Sequence, residues 1–249
     1  MTLNEPDFID LPTPTGPMRV HRFVPAGGRF PAVILYSEIY QVTGPIRRLA
    51  ARLAGEGFEV LVPEVYHEYE APGAVLAYDK EGTDRGNFLK TEKPVEHFDS
   101  DARTLIEWIV GREEGYPWRG VGTLGFCLGG HLAFRAALYP RVAATVCFYA
   151  TNLHTADLGH GRHDDTLARS GEIEAELLLL WGRQDPHVLL EGRRRIYDVL
   201  TEKGRNFQWH EFNAAHAFGR DEGLRYDSAA ARLGWELALE VLKRRVYAV

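Results

Sequence analysis

The chain has 249 residues, 45% of them hydrophobic and 26% charged, with a formal net charge of −6. That balance fits one soluble globular domain over 1–249, with room for a sizeable core, and excludes a general nucleic-acid or membrane-surface binder, which needs a basic face. Two cysteines cannot build a disulfide framework. The opening "MTLNEPDFIDLPTPTGPM" lacks the basic start and apolar stretch of a signal peptide, and no apolar run nears the ~18 residues of a membrane span. A reduced, cytoplasmic setting is expected.

In chain order, the proline-rich start reads as an extended lead-in. Strands are predicted at "VHRFVPA" (20–26), "PAVILYSEI" (31–39) and "FEVLVPEVY" (58–66), then "GVGTLGFC" (120–127) and "AATVCFYA" (143–150). "AELLLLWGRQD" (175–185) and "NFQWHEFNAA" (206–215) complete the set. Several are nearly all apolar, as strands buried on both faces must be. Helical periodicity marks 44–57, 101–111, 128–140, 189–204 and 227–246, the last capped by Asp227 or Ser228. Alternation of strand and helix predicts an α/β fold, with a mostly parallel central sheet flanked by helices on both faces. The long polar stretches 67–93 and 151–170 break the pattern and read as lid or pocket-wall loops, or as surface excursions without a role.

"GFCLGG" (125–130) ends a buried strand at Cys127 and starts a helix at once. A nucleophile there sits on a sharp turn above the sheet, and the flanking Gly125 and Gly129 relieve the crowding, as in a G-x-S-x-G elbow with sulfur for oxygen. The helix N-terminus favours a thiolate, and the Leu128 N–H can donate to an oxyanion. The plainer reading is a buried cysteine in a glycine turn. An elbow nucleophile needs an acid and then a histidine, in that chain order. Asp185, at the end of "LLLLWGRQDPHV", and His216, in "FNAAHAFGR", supply them, each after a strand. Alone, Asp185 could open a turn before Pro186, and His216 could be a surface histidine.

With these residues in place the sequence resembles the dienelactone hydrolase family of α/β-hydrolases over roughly 20–245, through "GFCLGG", "WGRQDPHV", "AAHAFGR" and "VPEVYHEYEAPG". The resemblance implies the α/β-hydrolase fold and a cysteine-dependent hydrolase that opens a lactone or cleaves an ester through a thioester on Cys127, as in aromatic-compound degradation. It implies that Glu38, in "YSEIYQ", faces the resting thiol and helps to deprotonate it, and that the Ile39 N–H joins that of Leu128 in the oxyanion hole. It further implies that Arg220 and Arg85 hold a substrate carboxylate, and that Tyr149 lines the pocket. Two departures stand out: Ala217, where lactone hydrolases often carry serine, and Gln41, where glycine is common.

Cys147 reads as core. His154, His160 and His163, with Asp157, Asp164 and Asp165, fit no standard zinc spacing and read as a hydrated lid. His131 is expected to pack beneath the site, and the row Arg193-Arg194-Arg195 to be a solvated face. No nucleotide-binding motif is present, so no cofactor is expected; the partner is a small-molecule lactone or ester, and the oligomeric state is left open. An acyltransferase or other thiol-based enzyme, or a non-catalytic binding protein on the same scaffold, are the alternatives.

Overall fold

The computed structural model describes residues 1–112 and 118–247. Eight strands form one sheet: β1 (Asp7–Thr13), β2 (Gly16–Phe23), β3 (Ala32–Tyr36), β4 (Glu59–Pro63), β5 (Val121–Phe126), β6 (Val142–Phe148), β7 (Glu176–Gly182) and β8 (Phe207–Phe212). Their order is β1-β2-β4-β3-β5-β6-β7-β8. β2 pairs antiparallel with β1 and with β4, and every other pairing is parallel. All seven predicted strands are present: that predicted at 20–26 lies earlier, at Gly16–Phe23, and the others are shorter than predicted. β3, β5 and β7 are buried along their whole length, as their apolar runs require.

Six helices flank the sheet: α1 (Gly44–Gly55), α2 (Lys80–Glu92), α3 (Val95–Arg112), α4 (Leu128–Ala136), α5 (Leu190–Glu202) and α6 (Ser228–Val246). Ile46 and Leu53 of α1 share a core with Trp235 and Leu242 of α6 on one face. Phe98 and Leu105 of α3, Leu132 of α4 and Ile196 of α5 fill the core on the other. Asp227 caps α6, its carboxylate accepting from the amides of Ala229 and Ala230, both at 3.0 Å.

Two expectations need correction. The proline-rich start is a strand: β1 and β2 form a hairpin in which Pro12 opposes Pro17, beside a turn closed by Gly16 at φ +125°. Proline cannot donate to a ladder, but at the outermost strand next to a turn that costs little, so composition alone misleads. The stretch 67–93 is also more than a loop, since it contains α2. Asp79 caps that helix by accepting from the Gly82 amide at 2.8 Å. Its buried face is Gly82, Gly86 and Leu89, a helical spacing in which two positions are glycine and carry no hydrophobic signal. The second stretch, 151–170, holds a short 3₁₀ turn, His160–Arg162, and docks on α2 through Gly159 N–H to Lys90 O at 3.1 Å. Two of the helices also differ at their ends: α3 starts six residues before the predicted 101, and α4 stops at Ala136.

Candidate active site

Parallel strands deliver their carboxyl ends to one edge of the sheet. Glu38 lies two residues beyond β3, Cys127 one beyond β5, Asp185 three beyond β7 and His216 four beyond β8. All four line or lie just under a cavity of about 800 Å³ at that edge.

Cys127 has φ +57° and ψ −117°, a backbone conformation that a residue with a Cβ adopts only under strain. The surrounding packing imposes it. A Cβ on Gly125 would lie 1.9 Å from the Gly129 carbonyl oxygen, and one on Gly129 2.2 Å from that of Tyr36. The elbow is therefore pressed against β3, and only hydrogen fits at either position. The Cys127 amide donates to Phe148 O at 3.0 Å, tying the turn to β6. The thiol is partly exposed, with the Thr151 hydroxyl 3.8 Å from its sulfur.

His216 and Asp185 are both buried, and the His216 Nδ1–H donates to Asp185 Oδ2 at 2.7 Å. The other Asp185 oxygen accepts from the His187 amide at 2.7 Å. Burial opposes the charged form of Asp185, but the His216 hydrogen bond and charge outweigh it and hold the carboxyl below its ordinary range. Burial likewise opposes a charged His216. The attraction of a Cys127 thiolate and the hydrogen bond to Asp185 prevail, raising the ring to about 10. The imidazole is thus held by the carboxylate through Nδ1 and lies near enough to Cys127 to feel its charge.

Neither the Leu128 nor the Ile39 amide has an acceptor among the described residues. Leu128 is the first residue of α4, where amides are free by the geometry of a helix start. Ile39 lies in the turn after β3 and lines the cavity. Gln41, close behind it, has φ +67°, the conformation that makes glycine common there. Ala217 is likewise left-handed, at φ +63°.

Glu38 is buried and pairs with Arg220 at 3.3 Å, with Tyr78 as a further partner. The thiol is not among its hydrogen-bond partners, a departure from the expected resting arrangement. Burial pushes the Glu38 carboxyl up, against the pull of Arg220 and His216. The Arg220 guanidinium lies 4.2 Å over the Tyr78 ring. Arg85 is not brought to the cavity: it sits on the outer side of α2, with its Nε donating to Glu70 at 2.7 Å. Tyr149 does not line the cavity either. It is fully buried behind His216, ring centroids 5.0 Å apart, and braces the imidazole.

His131 is buried beneath the elbow. Its Nδ1–H donates to Thr151 O at 3.0 Å, and Nε2 meets the Thr166 hydroxyl at 3.0 Å and Asp164 at 3.3 Å. Asp164 is buried too, accepting from the amides of Leu158 and Thr166, so that acid is not part of a hydrated lid. Arg193 is also buried, donating to Val188 O at 2.7 Å and correcting its reading as a solvated face. Cys147 is core, where burial pushes its thiol well up. Among the described residues, His67, Glu68 and Asp101 offer metal-type ligands within 4.8 Å of one another. The Lys93 ammonium already fills that position, 2.7 Å from Glu68 and 2.5 Å from Asp101.

Sequence reasoning missed Tyr78, Lys90, Thr151 and His187 as cavity residues. His187 had a signal, since it stands two residues after Asp185; its ring lies 4.6 Å from that of His216. The others had none, because they lie in the stretches read as loops.

Comparison with known proteins identifies the family. The sequence model of the dienelactone hydrolase family matches residues 18–246. A Saccharomyces cerevisiae protein provisionally named carboxymethylenebutenolidase is 41% identical, over 96% of this chain and 91% of its own. The carboxymethylenebutenolidase of a Pseudomonas species is 26% identical, over 92% and 91%. A solved Klebsiella pneumoniae structure, provisionally named dienelactone hydrolase, superposes with a TM-score of 0.83 at 22% identity, covering 96% of this chain and 98% of that one. The fold is that of the α/β-hydrolases. Among the described residues, no helix is long and apolar enough to cross a membrane.

Proposed function

The chain belongs to the dienelactone hydrolase family, and on that footing we propose that it hydrolyses a lactone or ester through a thioester on Cys127. The observation that carries this reading is the strained Cys127 at the head of α4, coupled to a His216 ring that Asp185 holds at 2.7 Å. Strain of this kind is kept where the surroundings over-determine it, usually at working sites, which argues against a vestigial scaffold.

In the proposed reaction the Cys127 thiolate attacks the substrate carbonyl. The amides of Leu128 and Ile39 meet the developing oxyanion, and the charged His216 returns a proton to the departing oxygen. Acylation removes the negative sulfur, the strongest influence raising His216. The ring then loses its proton more readily and can take one from water, which attacks the thioester and releases the acid. A substrate carboxylate that docks on Arg220 competes with Glu38 for that guanidinium. Freed of it, the buried Glu38 carboxylate holds a proton more avidly and becomes a better base toward the thiol.

The test compares purified wild type and Cys127→Ala on an activated aryl ester and on a dienelactone. A loss of about a thousandfold or more in kcat, with an acyl adduct on Cys127 trapped in the wild type, is expected. Equal rates for the two proteins would end the proposal.

A further inference from the structure

Half of the acidic, lysine and arginine side chains lining the cavity are ion-paired with one another. Arg220 is paired with Glu38, and Lys80 with Asp84. Lys90 and Arg225 are the lining cations without an ion pair among the described residues, and the lining carboxylates Asp79 and Asp157 are also without one, bonding instead to the Gly82 amide and to Asn152 and Thr155. Lys90, on the last turns of α2, is half-buried, and its ammonium donates to a neutral acceptor, Asn152 Oδ1, at 3.2 Å. No carboxylate lies within ion-pair distance of it among the described residues. Arg225, exposed at the rim, has neither a hydrogen bond nor an ion pair there.

Both cations face the same cavity as His187 and act on its charge. Burial, the His216 charge, and then the charges of Arg225 and Lys90 lower the basicity of His187, against the pull of Asp185. His187, Lys90 and Arg225 all line the cavity, and none of them belongs to the Arg220–Glu38 pair. The setting of Lys90 is built rather than accidental. Asn152 is left-handed at φ +68°, its amide nitrogen donates to Asp157 at 2.5 Å, and its carbonyl end is thereby aimed at Lys90. A half-buried ammonium facing a cavity with a neutral partner is poised for an anion, because a carboxylate there gains a charge-assisted bond.

We propose that Lys90 and Arg225 form a second anion subsite that takes an additional carboxylate of a substrate whose first is read at Arg220. This rests on the hydrolase reading for its substrate. The cavity, about 800 Å³, has room for an acid well beyond a small monocarboxylic lactone. The preferred substrate is then a lactone or ester that bears two free carboxylates.

The test uses aryl esters of butyrate, glutarate and tricarballylate, which carry none, one and two free carboxylates, on wild type, Lys90→Met, Lys90→Arg and Arg225→Met. In wild type, kcat/KM is expected to rise from the one- to the two-carboxylate ester. Lys90→Met should cut that ratio about tenfold through KM, Arg225→Met less, and Lys90→Arg should retain most of it. A wild type indifferent to the second carboxylate overturns the subsite. So does a Lys90→Met that slows all three esters equally, which would make Lys90 a pin for the Asn152 loop. Calorimetric binding of free tricarballylate to Cys127→Ala, with and without Lys90→Met, separates this from failure of the hydrolase reading. Lys90-dependent binding without ester turnover in wild type sinks the hydrolysis alone; turnover with Lys90-independent binding sinks the subsite alone.

Discussion

Burial works against a charged His216, yet the Cys127 sulfur and Asp185 lift the ring to about 10. Alkylating Cys127 with iodoacetamide, which leaves a neutral thioether, should bring His216 down from that value, read as its imidazole shift against pH by NMR. An unchanged titration would mean that the sulfur does not hold the proton on the ring. The sign carries into kinetics. Acylation should fail as pH rises through about 10, when the ring loses the proton it must donate, whereas deacylation should gain with pH as the ring becomes neutral. Single-turnover rates measure the two limbs apart. At the elbow, Gly129→Ala places a Cβ 2.2 Å from Tyr36 O and 2.5 Å from Ser37 O, both backbone atoms that cannot swing aside. It should cost about 1–3 kcal/mol or more in urea unfolding. Cys127, Asp185 and His216 were legible in the sequence because each closely follows a strand that its own apolar run announces. Tyr78 and Thr151 were not, because a side chain that meets the site from a polar stretch carries no periodic mark.

Helix α2 shows how an element escapes sequence reading. Gly86 presses on the turn after β3, and a Cβ there would lie 2.6 Å from Ile39 O. Gly86→Ala should therefore displace the proposed Ile39 oxyanion donor and lower kcat by about tenfold or more, with a smaller change in KM. Steady-state kinetics check this, and a variant with wild-type kcat would show that the Ile39 turn yields freely. The far end of α2 is fastened by Lys93, fully buried, which meets Val65 O at 2.9 Å besides Glu68 and Asp101. Lys93→Met leaves those carboxylates without their cation and should destabilise the fold by about 3–5 kcal/mol in urea titration. Amphipathic periodicity located α1 and α6, whose buried faces are mostly apolar, and α5 through Ile196 and Leu200, although Gly192 and Arg193 are buried beside them. It passed over α2, whose buried face is mostly glycine and whose terminal anchor is a lysine.

Across the whole molecule, charge ties together elements that lie far apart in the chain. Glu176, at the start of β7, accepts from Arg244 and Arg245 near the end of α6 at 2.6 to 2.8 Å. The Arg244 hydrogen bond, with those of Gln208 and Arg245, overcomes burial and holds the Glu176 carboxyl down at about 2. A carboxyl depressed in the folded state adds stability above its ordinary value, and that stability is lost as pH falls toward the folded one. Glu176→Gln should thus melt below wild type at pH 7, with the gap closing as pH falls from about 4 toward 2, which thermal melts across that range would show. A gap constant with pH would assign the loss to packing instead. By itself the sequence determined the succession of strands and helices, the elbow at Cys127 and the order in which Asp185 and His216 follow it. Those features are written in local runs and spacings, where burial of neighbouring residues leaves a periodic trace. The tertiary structure alone decided the order of strands in the sheet and the choice of charge partners. It matched Arg220 with Glu38 across 182 positions, turned Arg85 outward to Glu70, and left Lys90 facing the cavity. Which cation meets which carboxylate depends on where distant elements come to rest, and no local pattern in the chain encodes that distance.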